Sequence, residues 1–202
     1  MSALLAKGAN VNARLSKGSP VRRFGSQWAL TTPMAGGTPL FVAAAYLEVD
    51  ILRALLAAGS DHSVPIRDGT TPFLAAAGVP VQKEARPSDL VRWNVIDNDT
   101  PAIPRDPTEI VGATTLLLDA GADVNQANEA GNTAMHAAAS SGLLSLIQLL
   151  ADRGADINVK NKAGQTPLAL TSGRARSPGG SPSASPEMQA AGELLRKLGA
   201  TQ

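Results

Sequence analysis

Apolar residues in this chain fall into two kinds of short cluster that alternate along its length. One kind is small and Ala-rich: TPLFVAAA at 38–45, TPFLAAA at 71–77, TAMHAAA at 133–139 and TPLALTS at 166–172. The other carries Leu pairs: VDILRALLAAG at 49–59, TTLLLDAG at 114–121, LSLIQLLADRG at 144–154 and AAGELLRKLG at 190–199. Within the second kind, apolar residues recur three and four positions apart, as Ile51, Leu52, Leu55 and Leu56 do, and this spacing predicts one buried face on an α-helix. The first kind predicts a shorter helix that lets a neighbour approach closely. Thr before Pro in Thr38-Pro39, Thr71-Pro72 and Thr166-Pro167 supplies a side-chain N-cap and a φ-fixed first helical residue. Gly59, Gly121 and Gly154 follow the Leu-rich clusters and predict left-handed helix ends.

The clusters share one frame. GADVN at 121 returns as GADIN at 154, GNTAMHAAA at 131 as GQTPLALTS at 164, and GGTPLFVAA at 36 as GTTPFLAAA at 69, each time 33 residues on. A turn carrying Asp or Asn separates each second helix from the next first helix. One helix pair cannot cover its own apolar face, so the units must stack.

On these residues the chain resembles the ankyrin repeat family, whose period is about 33 residues and whose T-P-L-H-x-A-A and L-L-x-x-G-A-D-V-N signatures match the segments above. The resemblance covers roughly two thirds of the chain and implies an all-α fold, an α-solenoid of helix–turn–helix units with long inserted loops. It also implies a structural role for His136, which stands at the family's His position within TAMH and would bridge neighbouring turns; Phe41 stands at that position two units earlier.

The frame sets the domain organisation. Residues 1–13 hold the second helix and turn of a partial first repeat whose first helix is missing, so fraying is expected there. Residues 14–33 are an inserted loop. A regular repeat spans 34–66, and the next spans 67–128 with an insertion at 79–107 between its two helices. An undisturbed repeat follows at 129–161. The C-terminal capping repeat, 162–202, is interrupted by a Ser/Pro/Gly linker at 173–187. The first insertion combines Arg14, Lys17, Arg22 and Arg23 with Phe24 and Trp28. It reads either as a basic, aromatic finger for a partner or as a flap whose rings cover the incomplete first unit. In the second insertion Ser88 is a candidate N-cap for a helical turn reaching Val95.

Composition narrows the function. Aromatic residues are only 3% of the 202, so the core is Ala, Leu, Ile and Val on closely packed helices. With 18 Lys plus Arg against 17 Asp plus Glu there is no global field to draw nucleic acid or an anionic membrane. No stretch approaches the length of a membrane span or a signal peptide's hydrophobic region, which favours a soluble protein of the cytoplasm. The absence of Cys removes disulfides and thiolate chemistry. His62 and His136 lie in different repeats without zinc-ligand spacing, and Asp97, Asn98 and Asp99 lack the alternating ligands of a calcium loop. No GxSxG, GxGxxG or GxxxxGK occurs, so neither a catalytic site nor a cofactor is expected.

The leading expectation is a monomeric protein–protein interaction module that binds through its concave face and turns. Alignment to the family's exposed positions selects Tyr46, Arg67, Thr70, Glu129, Asn132, Ser140, Lys162 and Gln165, with Trp28 and Trp93 as insertion anchors. The alternative is a scaffold or spacer array forming the C-terminal part of a longer protein, with no separate ligand.

Overall fold

The structure, a computed structural model, describes residues 5–16, 19–22, 28–31, 36–79, 106–172 and 185–201. Eight helices are described: α1 (Pro39–Ala45), α2 (Val49–Ala57), α3 (Pro72–Ala76), α4 (Pro107–Asp119), α5 (Ala134–Ser141), α6 (Leu144–Asp152), α7 (Pro167–Leu170) and α8 (Pro186–Lys197). They alternate as first and second members of helix pairs. The second helices α2, α4, α6 and α8 pack side by side in that order; α1 packs on α3 and α5 on α7 in the first-helix row. A continuous core threads the stack, with Leu52 and Leu55 of α2, Ile110, Ala113 and Leu117 of α4, Leu146, Ile147 and Leu150 of α6, and Ala191 and Leu195 of α8 all buried. Each large side chain so buried contributes about 1.5–3 kcal/mol relative to exposure. The helices are too short to be stable alone and are held by this packing.

The caps form as the sequence predicts. Thr38, Thr71 and Thr166 accept the N–H of Phe41, Leu74 and Ala169 at 3.2, 3.5 and 3.2 Å. Gly59, Gly121 and Gly154 have φ of 81°, 100° and 82°. Thr133 lacks a following Pro and is matched with His136 instead: its N–H donates to His136 Nδ1 at 3.2 Å. Because that N–H can only donate, Nδ1 is an acceptor and Nε2 carries the proton. Nε2 then donates to the Gln165 carbonyl of the next unit at 3.0 Å, so the ring bridges two units. Phe41 makes the corresponding bridge with apolar contacts, packing on Ile66 of the next finger and Ala75 of the following unit.

Between pairs the chain forms a two-legged turn, here called a finger. Asn128 N–H donates to Asn132 O at 3.1 Å and Gly131 N–H to Asn128 O at 2.8 Å; the pattern repeats at Asn161 and at Ile66. The same two bonds close Leu15 with Gly37 and Gly36, at 2.9 and 2.8 Å. The first insertion therefore enters at the tip of a finger, at 16–35, rather than at 14–33. It continues the legs as an antiparallel hairpin, β1 (Ser19–Arg22) with β2 (Trp28–Thr31), pairing Ser19 with Thr31 and Arg22 with Trp28. These two strands are an addition to the all-α expectation.

Two other boundaries move. Helix α4 begins at Pro107, capped by the Asp106 carboxylate, and runs 13 residues against 9 in α2 and α6, so the last residue counted into the 79–107 insertion is helical. Helix α8 starts at Pro186 behind a Ser185 cap, which moves Pro186 and Glu187 out of the 173–187 linker. Glu187 explains the docking of α8: a Cβ on Gly142, at φ 67°, would lie 2.8 Å from Glu187 Cβ and 2.9 Å from its backbone carbon. The candidate helical turn at 88–95 and the residues at 97–99 lie outside the described residues.

Side-chain amides rivet successive units at the base of the second helices. Asn12 Oδ1 accepts from Asp61 N–H at 2.9 Å, Asn125 from Asp156 at 2.7 Å and Asn158 from Thr201 at 2.8 Å. The partial first repeat is thus joined to the stack as the other units are, and its Leu5 packs against the core. One rung is missing. Ser63 occupies the Asn position between the second and third units, and its hydroxyl turns back onto Asp61 Oδ1 at 2.6 Å. Restoring the amide by Ser63→Asn should raise stability by about 0.5–1.5 kcal/mol, and Asn125→Ala should lower it by a similar amount. Urea midpoints of the two variants, moving in opposite directions from the parent, are the expected result.

Burial holds the His136 pKa below its ordinary 6.5, with the bond to Gln165 O acting in the opposite direction. The folded chain therefore binds fewer protons than the unfolded chain between 6.5 and the lowered value. The stability contributed is complete above the unfolded pKa and is lost as pH falls through that window, by at most about 1.4 kcal/mol per pH unit. On going from about pH 8 to about pH 5 the urea midpoint of the parent should fall more than that of His136→Gln.

Candidate binding groove

The finger ends and the exposed side of the first helices meet along one edge of the stack. Between the fourth and fifth units they enclose a groove of about 510 Å³. Its floor is apolar, made by Val79, Ala137 and Leu170, and its polar wall by Asn132, Asn161, Lys162 and Gln165, with Ser140 at the helix side. Small residues create the space: the Ala-rich helix that allows close stacking also leaves the floor low.

The polar wall is built around Asn161. Its Oδ1 accepts two backbone N–H groups, from Ala163 and Gln165, both at 3.0 Å. Its Nδ2 donates to Asn132 Oδ1 of the preceding finger at 2.9 Å, with Gln165 Oε1 at 3.4 Å. The Asn132–Asn161 bond ties the fourth finger to the fifth, alongside the backbone bond from Lys162 N–H to Ala130 O at 2.9 Å. Ser140 donates its hydroxyl to Ala137 O at 3.0 Å. Lys162 is exposed at the rim, and among the described residues no Asp or Glu lines the groove.

Four of the residues selected from sequence, Asn132, Ser140, Lys162 and Gln165, thus come together around one groove. The others do not join them. Arg67 and Glu129 are exposed at the tips of earlier fingers, in the position Lys162 occupies in its own. Tyr46 is 45% exposed and borders a different groove of about 550 Å³ at the opposite end of the stack, beside Leu15, Val42 and Ile51. Thr70 has to be withdrawn as a surface contact. It holds the finger position of Asn132 and Gln165, yet its short side chain is fully buried, where the longer amides reach out. Trp28 heads β2 at the inserted finger; its side chain, like all of Trp93, lies outside the described residues. Sequence reasoning missed Asn161. Its signal was present, since Asn128 and Asn161 share the frame and each precedes its finger glycine by three residues.

Among the described residues no group of three or more His, Asp or Glu side chains is placed to hold a metal ion, and no helix is long and apolar enough to cross a membrane.

Comparison with known proteins agrees with this architecture. Residues 117–170 match the family model described as ankyrin repeats (many copies). The chain is similar to neurogenic locus notch homolog protein 1 of Xenopus tropicalis, 34% identical over 122 residues that cover 57% of this chain and 5% of that protein. It is similar to the same-named protein of Xenopus laevis, 33% identical over 122 residues with the same coverage. The chain thus spans about 5% of the length of these curated relatives. Ankyrin repeats are in general protein–protein interaction modules. The matched family model identifies residues 117–170 as ankyrin repeats, and the 33-residue period and the stacked helix pairs with their fingers carry the same ankyrin-repeat fold beyond them.

Proposed function

We propose that this chain binds a partner protein through the groove between its fourth and fifth units, and that the contact continues along the finger tips at Glu129 and Arg67. The observation that carries the reading is the meeting of Asn132, Ser140, Lys162 and Gln165, from two successive units, around an apolar floor. A groove of that kind offers orientation by a few polar groups and contact area from the floor. Its polar atoms sit on a backbone fixed by inter-unit hydrogen bonds, so little ordering entropy is lost on binding. Tyr46 forms a second candidate contact at the other end, where its ring and hydroxyl suit an interface.

The test uses the full chain as bait in extracts of its native host, comparing the parent with groove and off-groove variants. Ser140→Tyr fills the groove from an exposed helix position, and Gln148→Ala alters the exposed side of a second helix. The parent and Gln148→Ala should retain the same proteins, while Ser140→Tyr should weaken capture about tenfold or more without a change in folded circular dichroism. Equal capture by the parent and Ser140→Tyr would remove the groove from the interface.

A further inference from the structure

The hydrogen-bond orientation of the groove specifies which ligand chemistry it accepts. Backbone N–H groups only donate, so the two that reach Asn161 from Ala163 and Gln165 require its oxygen on that side and its amino group on the other. That amino group in turn requires the oxygens of Asn132 and Gln165 to face it. Both of those amides are thereby turned with their own NH₂ groups away from Asn161. Gln165 O is occupied as well, accepting from Asn161 N–H at 3.0 Å and from His136 Nε2 at 3.0 Å.

The polar side-chain capacity left over is therefore weighted towards donors. Asn132 Nδ2, Gln165 Nε2 and Lys162 Nζ carry N–H groups with no partner among the described residues, while Asn161 Oδ1 already accepts from Ala163 and Gln165 and the Asn132 and Gln165 oxygens are turned towards Asn161 Nδ2. Ser140, its hydroxyl proton committed to Ala137 O, adds an acceptor at the helix side. Among the described residues no carboxylate of the lining competes for the donors, and the Glu129 side chain lies over Gly69, its Cγ 3.4 Å from where a Cβ there would stand. Ionised carboxylates are acceptor-only groups and make the stronger, charge-assisted bonds.

Resting on the reading of this groove as a protein-binding site, we propose that it selects an acidic segment of the partner: a carboxylate held by Lys162 and by the amide N–H groups of Asn132 and Gln165, with a small apolar side chain beside it on the Ala137 and Leu170 floor. A basic segment would set its charge against Lys162 and meet more donors than acceptors.

A phage-displayed library of random peptides, about a dozen residues long to match a groove-sized contact, can be selected on the full chain and counter-selected on Ser140→Tyr. Groove-dependent peptides should be enriched in Asp and Glu and depleted of Lys and Arg. The best of them, made as a synthetic peptide, should bind about tenfold more weakly when its key carboxylate is changed to the amide, and at least as much more weakly to Lys162→Glu. Its affinity should also fall as salt is raised. Lys162→Gln, which keeps the side-chain length without the charge, guards against a local effect of the reversed charge and should weaken binding as well. Recovery of neutral or basic groove-dependent peptides, of acidic peptides indifferent to both Lys162 variants, or of no groove-dependent peptide would overturn the proposal. If Ser140→Tyr abolishes capture of the native partner while the selected peptides are not acidic, the binding site stands and only its acidic preference fails.

Discussion

The hydrogen bonds that join one finger to the next are the constraint on which the rest of this molecule depends. Lys162 N–H reaches Ala130 O at 2.9 Å, and Glu129 N–H reaches Asp68 O at 2.8 Å. They bring backbone against backbone, and the spacing leaves no room for a side chain at the contact. A Cβ on Gly131 would stand 2.9 Å from Lys162 N and 3.0 Å from Asn161 Cα, and the residue sits at φ 76°. Glycine is needed there twice over, for the left-handed turn and for the close approach. At the far edge of the last two boundaries the Asn125 and Asn158 amides do the same work from a side chain. With both edges riveted, the apolar faces of the helix pairs have only one way to meet.

The groove follows from that clamping. Fingers held at fixed spacing place Asn132 and Asn161 within 2.9 Å of each other, and first helices reduced to Ala, Ser and a few larger residues leave a trough beside them. The buried His136 contributes from below, because its Nε2 proton occupies the Gln165 carbonyl that would otherwise face the groove as an acceptor. A scaffold element thereby shapes the chemistry of the surface: the bonds that hold the units together consume oxygens and leave N–H groups outward. The electrostatics point the same way, since Lys162 is the charged side chain that lines the groove among the described residues. The nearly neutral whole chain, 18 basic against 17 acidic residues, conceals this local bias.

Much of the fold was legible in the sequence because its determinants are local. Thr–Pro pairs, helix-ending glycines and Leu pairs each act within a few residues, and their repetition at 33 turns weak signals into a frame. What escaped depended on contacts between distant residues or on breaks in the period. The hairpin at Ser19–Thr31 extends a finger whose legs, Leu15 and Gly37, are over twenty residues apart, so the count located the insertion but placed it two residues early. Leu47 takes φ 59°, the conformation Gly142 supplies two units later; the cost, about 1–2 kcal/mol, is offset by its burial at 5% exposure, which no local rule foretells. Thr70 aligned with Asn132 and Gln165 but is too short to reach the surface they reach. Asn161 was passed over because its importance lies in orienting two neighbours, a property of a network rather than of a motif.

Amide hydrogen exchange at the inter-unit bonds tests the central claim most directly. The N–H groups of Glu129, Asp156 and Lys162 are all on exposed residues, and without partners they would exchange at the rate of an unfolded chain. If the finger and Asn rivets set the geometry of the stack and its groove, these amides exchange slowly, with protection that approaches that of buried helix amides such as Leu150 and collapses when Asn125 and Gly131 are replaced. Unprotected exchange at Glu129, Asp156 and Lys162 in the intact chain would contradict the account, leaving the units held by apolar packing alone and the groove without a fixed wall.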